Sequence, residues 1–163
     1  MARSVRAKIK KPIYRRILWP TDFSPLAKVA LPHAVGLASD TGAELVLLHV
    51  LPLPAMYAAP DISGAVWIPL QRKTRAAARL HLLRLEKQVK GPNFRTHMVL
   101  TEGVPFSQIV RAAKRLRCDL IVLATHGRTG LAHAIMGSVA ENVIRHAPCP
   151  VLTVRPARLQ QRS

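Results

Sequence analysis

The residue types best suited to chemistry fall in one stretch, Leu123-Ala124-Thr125-His126-Gly127-Arg128-Thr129-Gly130, continued by Leu131-Ala132-His133-Ala134-Ile135-Met136-Gly137-Ser138. Gly127 and Gly130 allow the backbone to approach a ligand closely, with positive φ where required. Gly137-Ser138 stands at a predicted helix start, where unpaired backbone N–H groups and the helix dipole favour an anion. The Ser138 hydroxyl either donates to a phosphate oxygen or caps the helix. A second candidate is Asp22 in Pro20-Thr21-Asp22-Phe23-Ser24. A carboxylate there accepts from ribose hydroxyls or holds a phosphate-bound divalent cation; its plainer role is an Asx turn into the next helix. Phosphate binding is the chemistry these residues suggest. A glycine-rich connection from strand to helix is the alternative reading.

Other chemistries find less support. No G-x4-GK(S/T) occurs, so no P-loop lysine can be assigned. Acids number eight, and none but Asp22 is placed to orient a water. A fast ATPase is therefore not expected, while slow hydrolysis or autophosphorylation stays open. His126, His133 and His146 lack a compact ligand spacing, and His49 ends an apolar strand, where it packs or hydrogen-bonds. Cys118 and Cys149 have no CxxC spacing and read as apolar residues of a reducing compartment. Gly127-Arg128-Thr129-Gly130 formally matches a GXXG RNA-binding loop, but that loop joins two helices and this one follows a strand.

These residues must be carried by regular elements, and the pattern of the chain supplies them. Ile13–Pro20 reads as a first strand, and Ser24 before Pro25 reads as an N-cap followed by proline at the first helical position. Pro32 inside that helix predicts a kink. Leu45–Val50 is apolar on both faces, as a central parallel strand is. Residues 51–70 read as a Pro-rich apolar loop, in which Met56, Tyr57, Trp67 and Ile68 are costly to expose together. Gln71–Lys90 is a helix with Ala76, Leu80, Leu83 and Val89 inward. Phe94–Leu100 is a strand, and Pro105–Arg117 a helix with Ile109, Val110, Ala113 and Leu116 inward. Leu120–Leu123 is a strand, Gly137–His146 a helix, and Val151–Val154 the last strand. Such alternation predicts an α/β fold: a doubly wound, five-stranded parallel sheet with helices on both faces, Rossmann-like. Ligands in such sheets bind beyond the carboxyl ends of the strands. That directs attention to residues 20–24, 50–55, 101–105 and 124–138.

The chain's 163 residues suit one domain, expected over 15–155 between basic tails at 1–14 and 156–163. No run is long and apolar enough to span a bilayer, and the basic N-terminus lacks the apolar stretch of a secretory signal, so the cytoplasm is the expected location. The formal net charge is +17, and seven of the 25 Lys and Arg residues fall in the first sixteen. Residues 1–16 are thus a candidate for non-specific contact with nucleic acid or an acidic partner; a solvated tail is the plainer reading.

The assembled motifs resemble the universal stress protein family. The matching pieces are Arg16-Ile17-Leu18-Trp19-Pro20-Thr21-Asp22-Phe23-Ser24, Leu47-Leu48-His49-Val50, Ala124-Thr125-His126-Gly127, Gly137-Ser138-Val139-Ala140-Glu141 and Ala147-Pro148-Cys149-Pro150-Val151-Leu152, in the family's order. ATP-binding members carry G-x2-G-x9-G-(S/T); here the pattern is Ala124-x2-Gly127-x9-Gly137-Ser138, with alanine for the first glycine. The resemblance implies ATP, with magnesium, as the cofactor. It places adenine against Val50 and Leu123, ribose near Pro20, Asp22 and Ala124, and phosphates at Gly127, Gly137, Ser138 and Val139, with Thr21 among the cofactor-binding residues. Asp22 would lie near any metal, and His126 would shape the loop. The resemblance also implies a homodimer, and the apolar last strand Val151–Val154 is the surface an edge strand would offer. An interaction module that no longer holds nucleotide is the alternative, with Ala124 in its favour.

Overall fold

The first strand forms at the first apolar run after the basic start of the sequence. In β1 (Arg16–Thr21), Ile17, Leu18 and Trp19 are fully buried. A strand buried on both faces belongs in the middle of a parallel sheet, and β1 lies there. The computed structural model describes residues 14–52, 64–125 and 137–155, with backbone alone for 64–67. Its five strands are β1, β2 (Glu44–Leu51), β3 (Thr96–Glu102), β4 (Leu120–Ala124) and β5 (Val151–Val154), in the order β3-β2-β1-β4-β5. Every pairing is parallel; Leu18 lies opposite Val46 on one side and Ile121 on the other.

Helices cover both faces, and strand residues alternate between the two cores as the pleat requires. On one face Ile17, Trp19, Leu45, Leu47, Leu120 and Val122 pack with the alanines of α2 (Leu31–Thr41) and with Leu82, Leu85 and Val89 of α3 (Gly64–Val89). On the other, Leu18, Val46, Leu48, Ile121 and Leu123 meet α4 (Pro105–Arg115) and α5 (Ser138–His146) through Ile109, Ala113 and Val143. The expected doubly wound α/β sheet is the observed architecture.

Several local expectations need correction. Pro32 does not kink one helix; the segment divides into α1 (Pro25–Lys28) and α2, with Pro32 in the first turn of α2. A missing N–H costs little there, because first-turn N–H groups have no intrahelical acceptor. The expected N-cap holds: the Ser24 hydroxyl accepts from Ala27 N at 3.0 Å. β1 begins at Arg16, and Ile13 lies outside the described residues. The supposed loop 51–70 is shorter, since α3 begins at Gly64 and carries Pro69 inside it. Met56 and Tyr57 lie outside the described residues, as does the Trp67 side chain, while Ile68 is exposed. The inward face of α3 is Ala78, Leu82, Leu85 and Val89; Ala76 and Leu80 are exposed. Leucines at 80, 82, 83 and 85 leave two faces apolar, and packing on β2 and β3 selects one. In α4, Ala112 is buried beside Ile109 and Ala113, whereas Val110 and Leu116 are only half-buried.

Candidate functional site

Strand order reverses at β1, from which the chain moves outward first through β2 and β3 and then through β4 and β5. Beyond the carboxyl ends of β1 and β4 lies a cleft, where the switch point of such sheets places one. That cleft measures about 290 Å³. Of the residues expected at a binding site, Pro20, Thr21, Asp22, Val50, Leu123, Ala124, Gly137, Ser138 and Val139 all line it. His126 and Gly127 lie outside the described residues.

The loop after β1 is tightly set. Thr21 Oγ1 accepts from Phe23 N at 3.0 Å, and Asp22 Oδ1 accepts from Ser24 N at 2.9 Å. The Asx turn expected of Asp22 therefore forms, and it forms on the wall of the cleft. Phe23 pays for this bend with φ of 65°, a left-handed conformation that costs a non-glycine residue about 1–3 kcal/mol. Its ring stacks on His49, with centroids 4.1 Å apart, and meets His81 edge-on. His49 is buried, and its Nδ1 donates to the Thr21 carbonyl at 2.7 Å. A carbonyl only accepts, so this contact places a proton on Nδ1. His49 thus ties the end of β2 to the end of β1 and lines the cleft besides.

The opposite wall is the start of α5. Gly137 N donates to the Thr125 carbonyl at 2.7 Å, and Thr125 N donates to the Val154 carbonyl, so the ends of β4, β5 and α5 are joined. Gly137 is the N-cap, with ordinary extended φ, and no side chain caps the helix. This removes the capping alternative for Ser138, whose hydroxyl has no hydrogen bond among the described residues. The first intrahelical bond runs from Glu141 N to the Gly137 carbonyl, which leaves the N–H groups of Ser138, Val139 and Ala140 without helical acceptors. All three residues line the cleft. An apolar slot between Val50 and Leu123 therefore opens toward a row of amide donors at a helix N-terminus, the arrangement that accepts an anion.

Ala124 stands where the ATP-binding pattern has its first glycine. Along β4 it lies on the same face as Leu120 and Val122, and it is partly buried against the core on the α2 and α3 side. Sequence reasoning missed His49, Thr125, Pro52, Pro105, Ala27, Leu48, Ile109 and Ala140 as lining residues. The first four fall inside or beside stretches singled out by strand ends; Ala27, Ile109 and Ala140 lie on helices and Leu48 inside β2, without a local signal.

Among the described residues no three His, Cys, Asp or Glu side chains cluster as a metal site. Among the described residues Asp22 is the one carboxylate that lines the cleft, consistent with magnesium held by one carboxylate together with a ligand's phosphates. No described helix is long and apolar enough to cross a membrane.

Comparison with known proteins agrees with the fold and with the motifs. Residues 13–155 match the model of the universal stress protein family. Universal stress protein MJ0531 of Methanocaldococcus jannaschii is 33% identical over 143 residues, covering 88% of this chain and 83% of the relative. The structure of MJ0577 superposes with a TM-score of 0.79 at 30% identity, covering 90% of this chain and 99% of that one. A universal stress protein solved in complex with cAMP shares the fold, with a TM-score of 0.58 at 21% identity, covering 90% of this chain and 100% of that one. With the family model spanning most of its length, this chain belongs to the universal stress protein family.

Proposed function

We propose that the chain binds an adenine nucleotide, ATP with magnesium in the first place, and acts through nucleotide-dependent interaction rather than rapid turnover. The observation that carries this reading is the cleft itself: an apolar slot at Val50 and Leu123, Asp22 on its wall, and the unpaired amides of Ser138, Val139 and Ala140 opposite. The base packs in the slot, Asp22 takes the ribose or the phosphate-bound cation, and the helix N-terminus takes the phosphates. A protein of the same fold has been solved with cAMP, an adenine nucleotide. Mass spectrometry of small molecules released from the purified native protein tests the reading. Recovery of ATP, ADP or AMP in near-stoichiometric amount supports it; a protein that carries no nucleotide and takes none from added Mg-ATP refutes it.

The second part of the proposal is a homodimer through β5. This strand is a sheet edge, and Leu152 is 37% exposed on it. Edge strands of this kind pair with a second copy. Light scattering after size exclusion should give twice the chain mass, shifting to the chain mass in Leu152→Lys; a monomer at all concentrations contradicts it. The cytoplasm and the single domain over 15–155 are part of the same reading.

A further inference from the structure

Away from the nucleotide cleft, a second groove of about 490 Å³ runs between α3 and the edge strand β3, lined by Arg72, Arg75, Arg79, Leu82, Met98 and Leu100, with Ala76 between the arginines. We propose that this groove docks an extended, acidic peptide segment of a partner protein, which adds to β3 as a further strand.

Three observations converge on that occupant. The first is the free edge. Leu45 N donates to the Arg95 carbonyl and Gly103 N to the Leu51 carbonyl, so the odd-numbered residues at either end of β3 turn their backbone toward β2. Backbone direction alternates along a strand, so Thr96, Met98, Leu100 and Glu102 turn theirs outward, where no described strand pairs with them. The second is where the side chains of these same residues lie. Thr96 bonds Glu86 of α3, Glu102 accepts from Gln71 and Arg75 of α3, and Met98 and Leu100 line the groove. An added strand would therefore lay alternate side chains over the apolar floor and beneath α3.

The third observation is charge. Arg72, Arg75 and Arg79 recur at helical spacing on one face, and the exposed Ile68 stands four residues before Arg72 on that face. Glu102 engages Arg75, whereas Arg72 and Arg79 form no ion pair among the described residues. Guanidinium forks suit carboxylates in bidentate contact. A chain with 25 basic and eight acidic residues repels basic segments and attracts acidic ones. Among the described residues no aromatic ring lines the groove to stack bases, which favours a peptide over single-stranded nucleic acid.

The test is fluorescence anisotropy of the full chain with a labelled peptide of alternating glutamate and leucine, about seven residues long to match a strand. Binding should weaken with salt, and should fall about tenfold in the double variant Arg72→Ala, Arg79→Ala, whose positions are exposed and whose fold circular dichroism can verify. A peptide N-methylated at alternate residues should lose binding, because its backbone cannot pair with β3. Equal binding by wild type and the double variant would overturn the proposal, as would equal binding of the N-methylated peptide. A single-stranded RNA of similar length that binds more tightly and displaces the peptide would overturn it too. Nucleotide binding in the cleft is measured separately, so failure of one site leaves the other standing.

Discussion

Replacing Ala124 by glycine restores the residue of the ATP-binding pattern and asks what the extra methyl does. The structure turns that methyl toward the core: Ala124 shares the face of Leu120 and Val122 and packs with them against the α2 and α3 side. Ala124 is half-buried, so loss of its methyl costs at most about 0.8 kcal/mol, and glycine in a strand costs about 0.5–1 kcal/mol more in chain entropy. Ala124→Gly should therefore destabilise the fold by about 1 kcal/mol, read as a lower urea midpoint at unchanged m-value. Affinity for Mg-ATP, measured by calorimetry, should stay within about threefold, a change of less than 1 kcal/mol. A tenfold gain in affinity without loss of stability would refute the reasoning. It would mean that the methyl crowds the ligand and is not part of the core.

Cys118 supplies a pH prediction. Burial, and then the neighbouring Cys149, push its thiol from 9.0 up to about 12. The native state holds the proton longer than the unfolded chain, so this contribution is intact below about pH 9 and is lost as pH rises toward 12. The slope is at most about 1.4 kcal/mol per pH unit. Urea unfolding at pH 9 and pH 11 should show a steeper loss in wild type than in Cys118→Ala; equal losses would contradict the assignment. In α3, Leu82 is 1% exposed between helix and sheet, so Leu82→Ala should cost about 2–5 kcal/mol. The exposed Leu80→Ala should cost under about 1 kcal/mol by comparison. Reversal of that order in thermal melts would mean that the helix is rotated.

How much of this could be read from the chain depended on what set each feature. The doubly wound parallel sheet followed from apolar runs that need both faces covered, such as Leu45–Val50, and from the helical segments between them, whereas the order of the strands came only from the fold. The cleft was legible because strand ends and a helix start are local signals: Asp22, Gly137 and Ser138 stand where a carboxyl end and a helix N-terminus must converge. Features decided by tertiary packing were not legible. The leucines of α3 offered two faces, and only contact with β2 and β3 chose Leu82 and Leu85. Pro32 and Pro69 look alike as helix breakers, yet one begins a helix and the other lies inside one. His49 looked like a packed strand residue, as it is; its place on the cleft wall follows from the bond to Thr21 and the ring of Phe23.

The central claim is that the amides at the start of α5 receive phosphate, and a calorimetric titration of Mg-ATP into wild type and Ser138→Asp tests it most directly. Ser138 is exposed and makes no side-chain bond among the described residues, so the substitution should leave the fold intact, and an acid in the first turn of a helix is otherwise favourable. The account predicts saturable binding by wild type and a loss of at least about tenfold in Ser138→Asp, as one carboxylate repels another anion from the same donors. Equal affinity in the two proteins, or no binding heat in wild type, would contradict it.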